Sequence, residues 1–145
     1  MREAVRLAVA NRDRGARPFG AVLVLDGEAV ATGVNDIVHS HDPTTHAEME
    51  AVRAAARKLG RPDLRGSVVY ASGHPCPMCL AAMTMAGVQA VYYAFDNQDA
   101  APYGMSSEAA YQALRLPLDP PPLPLTRVAV DLSAAQLYGM RPRRG

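Results

Sequence analysis

Apolar positions change period several times along this chain, and each change marks an element. Ala4, Val5, Ala8 and Val9 recur at helical spacing within residues 3 to 12, which predicts an amphipathic first helix. Residues 19 to 35, FGAVLVLDGEAVATGVN, are rich in β-branched side chains and break at Asp26-Gly27, a dipeptide suited to a tight hairpin turn. Two antiparallel strands are expected there, followed by a polar loop, DIVHSHDP. Residues 44 to 60 return to helical spacing, with Met49, Val52, Ala56 and Leu59 on one stripe and Gly60, then Pro62, as stop signals. SVVYA reads as a short buried strand. Pro77 suits the first position of a helix that runs through LAAMTMA to Gly87. AVYYAF predicts the next strand, SSEAAYQALR a helix, RVAV at residues 127 to 130 a fifth strand, and SAAQLYG a short last helix. Strands interleaved with helices on this scale predict an α/β fold, a three-layer α/β/α sandwich around a five-stranded mixed sheet.

Composition narrows the class. With 145 residues, 49% hydrophobic and 20% charged, the chain is expected to form a single domain over residues 1 to 145, and the proline-rich run at residues 117 to 125 is expected to be a stiff connector within it. No apolar run approaches a membrane span, and no apolar, positively flanked leader precedes residue 20, so a cytoplasmic, reducing setting is expected. A net charge of +1 gives no electrostatic case for a nucleic-acid surface, and the basic tail RPRRG reads as a solvated end.

The candidate chemistry begins in SGHPCPMC, which holds Cys76 and Cys79, the two cysteines of the chain. A disulfide across so short a loop would add little stability, and a redox CxxC normally follows an early strand rather than sitting mid-chain. Metal binding remains, and it needs a further ligand. His46 opens one predicted helix and the cysteines open another, so on packed neighbouring helices three donors can converge. Three protein ligands with one open position is the arrangement of a catalytic zinc. Glu48, two residues beyond His46, supplies a carboxylate, although Thr45-His46-Ala47-Glu48 also matches a helix capping box. His39 and His41 lie in a loop without companion cysteines and read as solvated.

HAE at residues 46 to 48 followed by PCPMC at 75 to 79 matches the H-x-E, P-C-x-x-C signature of zinc nucleobase deaminases. With RPFGAVLV, GVN at 33 to 35 and DPTTHAEMEAVRAAA, the chain resembles the cytidine deaminase-like superfamily over roughly residues 2 to 100. The similar branch holds guanine deaminases, tRNA adenosine deaminases and fungal-type cytosine deaminase. The resemblance implies Zn2+ on His46, Cys76 and Cys79, Glu48 as the proton shuttle, and a homodimer. It further implies substrate contacts at Phe19, Asn35, Ala47, Pro75 and Asp99, the last in FDNQDAAPYG. His74 stands where this branch commonly has glutamate; it is expected either to touch the base or to replace an outer hydrogen bond. The aromatic ending common in guanine deaminases is absent after Tyr138. The implied reaction is hydrolytic release of ammonia from a small-molecule nucleobase or nucleoside, with guanine or a related aminopurine first. A cytosine- or triazine-type ring is the alternative. A tRNA substrate comes third, because the last predicted helix is not basic. Outside enzymology, a zinc-bearing scaffold would fit the ligands but has no use for Glu48.

Overall fold

The computed structural model describes residues 1–115 and 123–139. Within them the order is α1 (Arg2–Asp13), β1 (Gly20–Leu25), β2 (Glu28–Val34), α2 (Ile37–Ser40), α3 (Ala47–Leu59), β3 (Val68–Gly73), α4 (Pro77–Ala86), β4 (Ala90–Phe95) and α5 (Asn97–Ala100). A 3-10 turn (Ala101–Tyr103), α6 (Glu108–Ala113), β5 (Leu125–Arg127) and α7 (Ala134–Tyr138) follow. The strands form one sheet in the order β2-β1-β3-β4-β5, antiparallel across β2-β1-β3 and parallel across β3-β4-β5. This is the expected five-stranded mixed sheet. Asp26 and Gly27 both take positive φ, 53° and 79°, as the predicted two-residue turn between β1 and β2 requires.

Strand alternation divides the core between the two faces of the sheet. Ala21 lies opposite Ala71, Leu23 opposite Val69, and Val69 opposite Val91, so these side chains share one face. They are buried there with Ala51 and Ala55 of α3 and with Leu80 and Met83 of α4. A second cluster joins Val5 and Ala8 of α1 to Ala94, Phe95, Leu137 and Tyr138. Two glycines let the helices lie hard against the strands. A β-carbon on Gly33 would overlap the carbonyl oxygen of Ala47 and stand 2.5 Å from the Ala51 nitrogen; on Gly20 it would meet Ala4 and Ala8 in the same way.

That close approach corrects the expected stripe of α3. Only alanine fits between helix and sheet, so Ala47, Ala51 and Ala55 form the innermost face, whereas Met49, Val52, Ala56 and Leu59 pack half-buried beside it. The fifth strand is also shifted. It runs over Leu125–Arg127 rather than 127 to 130, because Leu125 registers with Val91 and Arg127 ends the ladder in ion pairs with Asp96 and Asp99. Of the proline-rich connector, residues 117 to 122 lie outside the described residues, while Leu123 is buried and Leu125 already belongs to β5. The RPRRG tail lies outside them as well. The loop after β2 contains a single helical turn, α2, where no helix was expected.

Candidate active site

Two helix N-termini meet at the end of the sheet, and each is capped by a residue with a metal-binding side chain. His46 is the N-cap of α3 and Cys76 the N-cap of α4, both in extended backbone conformation, with Pro77 at the first helical position. An N-cap side chain projects past the helix end instead of along its flank, which lets donors from two helices face each other. Cys79, one turn into α4, completes the set. Cys76 Sγ lies 3.4 Å from His46 Nδ1 and 3.5 Å from Cys79 Sγ, and Cys79 Sγ lies 3.6 Å from His46 Nδ1. Tetrahedral zinc with Zn–N of about 2.0 Å and Zn–S of about 2.3 Å needs neighbouring donors roughly 3.5 to 3.8 Å apart. The donor set and its spacing therefore fit zinc with three protein ligands. Among the described residues this is the one such cluster of three. His39 instead faces Asp36 at 3.3 Å on the surface, and His41 is exposed.

Electrostatics prepare one of the two sulfurs as a thiolate. Hydrogen bonding with Cys79, then with His46, holds the Cys76 thiol down to about 4 against the opposing effect of burial. The same sulfur contact, together with burial, pushes Cys79 up. The positive ends of the α3 and α4 dipoles converge on the cluster and help to hold two sulfur anions beside a cation. Glu48 is 7% exposed, its Oε2 is 3.6 Å from Cys79 Sγ, and burial pushes its carboxyl up to about 7. The Thr45–Glu48 capping box does not form: His46, not Thr45, is the N-cap, and the Thr45 hydroxyl donates to the Asp42 carbonyl.

A cleft of about 140 Å³ opens onto the cluster. Phe19, Asn35, Ala47, Glu48 and His74 line it. Asn35 is buried; its Oδ1 accepts from Ile37 N at 3.2 Å, which leaves Nδ2 for the cleft. The Phe19 ring is backed by Tyr138, with ring centres 5.8 Å apart. His74 packs edge-on against Tyr93 and Tyr111, its Nδ1 3.0 Å from the Pro75 carbonyl oxygen, and burial lowers its pKa. Two expected contacts lie outside the lining. Pro75 is fully buried and offers its carbonyl to Tyr111. Asp99 closes a capping box with Asp96 at the start of α5 and pairs with Arg127 at 2.5 Å, so its carboxylate is already engaged.

Arg17 and the segment Gly104 to Ser107 also line the cleft, and sequence reasoning missed them. The available signal was topological: residues that follow β4 leave the sheet at its carboxyl end, where open α/β sheets place their ligands.

Fold and centre together define a zinc-dependent deaminase. The model of the cytidine and deoxycytidylate deaminase zinc-binding region matches residues 1–95, and the chain belongs to that family. It is 39% identical to the guanine deaminase of Bacillus subtilis (strain 168) over 90% of this chain and 84% of that protein. The X-ray structure of guanine deaminase from Bacillus subtilis superposes with a TM-score of 0.76 over 90% of this chain and 83% of that one. A tRNA-specific adenosine deaminase of Agrobacterium fabrum (strain C58 / ATCC 33970) is 41% identical, over 56% of this chain and 53% of its own length. The guanine deaminase structure from Nitrosomonas europaea, at 23% identity, 95% and 80% coverage and a TM-score of 0.77, shares the fold.

Proposed function

We propose that the protein hydrolyses guanine, or a closely related amino-substituted purine, to the corresponding oxo-purine and ammonia. The observation that carries this choice is the extent of the similarity: the guanine deaminase of Bacillus subtilis matches 90% of the chain, whereas the Agrobacterium tRNA enzyme matches 56%. A cleft of about 140 Å³, below the roughly 300 Å³ at which drug-sized sites begin, also suits a bare base.

His46, Cys76 and Cys79 would hold the zinc, which lowers the pKa of bound water towards about 7 and so makes a nucleophile available at neutral pH. Glu48 accepts the proton that water gives up and passes it to a ring nitrogen beside the amine-bearing carbon. Glu48 then takes the remaining proton from the oxygen newly bonded to that carbon and delivers it to the nitrogen as the C–N bond breaks, leaving a carbonyl on the ring and releasing ammonia. A carboxyl buried enough to titrate near neutrality suits both transfers. Asn35 Nδ2 donates to an acceptor on the ring, Phe19 and Ala47 enclose its faces, and His74 walls the side nearest the ligand helix. Pro75 and Asp99 act from behind the lining, through the main chain and the α5 turn.

We further infer one deaminase domain acting as a homodimer. α4 carries no charged residue, yet Ala81, Thr84 and Met85 face outward, with Met85 89% exposed; an apolar outer face of this kind fits a second copy. Among the described residues no helix is long and apolar enough to cross a membrane. Ligand cysteines that must stay thiolates favour a reducing compartment, the cytoplasm.

Ammonia release by zinc-loaded protein should be compared for guanine, adenine, cytosine, guanosine and a tRNA anticodon stem-loop. Guanine should lead. Faster turnover of the stem-loop would replace this reading with the tRNA one.

A further inference from the structure

We infer that Asn11, which touches neither metal ligands nor substrate, is the positioning residue that sets one wall of the cleft. It lies in the last turn of α1 and is 3% exposed. Its Nδ2 donates to the carbonyl oxygen of Arg17 at 2.7 Å and to that of Asn35 at 2.8 Å, while its Oδ1 accepts from Arg14 Nη2 at 3.0 Å. An amide nitrogen has two hydrogens, and here both hold main-chain oxygens.

The two acceptors come from separate segments, the turn before β1 and the residue that follows β2, and both residues line the cleft. Asn35 N donates to Phe19 O at 3.2 Å, so a third lining residue joins the same seam. The Asn35 side chain is fixed to its own backbone through Ile37 N. Any movement of the Asn35 carbonyl therefore carries Nδ2 with it, into or out of reach of the ring. An apolar side chain could fill the space under α1. Holding two carbonyls at a fixed separation takes a group with two donors at this point. Loss of a contact made equally in the ground and transition states raises KM and leaves kcat nearly unchanged.

Asn11→Asp keeps the shape and removes both donors. With guanine, a substrate choice that rests on the proposed function, it should raise KM by about 10-fold or more, with one zinc per chain retained and kcat changed far less. In an Asn35→Ala background the same substitution should change KM by less than about 2-fold, because coupled residues are not additive. Additive effects, or a fall in thermal stability with KM unchanged, would overturn the inference. Asn11→Ser, which keeps one donor, should fall between wild type and Asn11→Asp and carries the same cycle if the aspartate variant does not fold. A readout without substrate separates this inference from the guanine reading. In side-chain amide NMR spectra, Asn11→Asp should shift the Asn35 NH2 resonances and leave those of exposed Gln89 in place. Unmoved Asn35 resonances would sink the inference even if another base proves to be the substrate.

Discussion

The phenolic hydroxyl of Tyr111 donates to the carbonyl oxygen of Pro75 at 2.5 Å, from a ring that is 1% exposed and set edge-on to His74. α6 thereby holds the peptide that leads directly into the ligand Cys76. Tyr111→Phe keeps the ring and deletes the bond, leaving the Pro75 oxygen to His74 Nδ1 alone. Because that oxygen keeps a partner, loss of the bond costs about 0.5–1.5 kcal/mol. Urea unfolding should show a lower midpoint, and a chelator should strip zinc from the variant faster than from wild type. Equal chelation rates would show that α6 does not support the ligand loop.

Glu48 separates catalysis from metal binding. Glu48→Gln keeps the size of the side chain and removes the group that moves protons. Ammonia release should fall by about 10² to 10⁴-fold, the usual contribution of a positioned acid or base, while elemental analysis still finds one zinc per chain. Cys76→Ser should give the opposite pattern, with metal and activity lost together. A Glu48→Gln protein that retains wild-type turnover would remove Glu48 from the mechanism.

Much of this site was legible because its chemistry is local in sequence. His46 and Glu48 are two residues apart and Cys76 and Cys79 three, and Pro77 announces the helix start that aims Cys76. The sheet was legible from alternation and from the Asp26-Gly27 turn. What stayed hidden depends on distances between segments. Nothing near Arg17 or Ser106 says that they meet across a cleft. Nor does Asp99 disclose that Arg127, 28 residues on, occupies its carboxylate. The stripe of α3 was misjudged for the same reason: the helix comes so near Gly33 that alanines, rather than the larger Met49 and Leu59, take the innermost places.

That contact yields a test of the scaffold. Gly33→Ala places a β-carbon on the main chain of α3 next to His46, and neither the Ala47 oxygen nor the Ala51 nitrogen can swing away as a side-chain end could. Helix and strand must part, at a cost of about 1–3 kcal/mol, the range for overpacking. The variant should melt at a lower temperature and bind zinc more weakly, because the displaced α3 carries His46 away from Cys76 and Cys79. An unchanged melting temperature would mean that α3 lies farther from Gly33 than a contact of 2.5 Å to the Ala51 nitrogen implies.

Tyr138 offers a test in which losing a polar group should not weaken the protein. Its hydroxyl is buried without a hydrogen-bond partner among the described residues, inside rings contributed by Phe19, Phe95 and Tyr103. Tyr138→Phe removes that unpaired donor and should leave stability at pH 7 to 8 unchanged or raise it by up to about 1 kcal/mol. Burial also raises the pKa of this phenol above its usual value of about 10. The unfolded chain therefore ionises first: the contribution of Tyr138 is fully present below about pH 10 and is lost as the pH climbs above it. Melting temperatures of zinc-saturated protein at pH 8, 9.5 and 11 should fall less steeply for Tyr138→Phe than for wild type. Tyr111→Phe should share the shallower alkaline slope, since burial raises that hydroxyl too, while starting from a lower melting temperature at pH 8. Parallel slopes for wild type and Tyr138→Phe would mean that this hydroxyl is solvated in solution rather than buried among the rings.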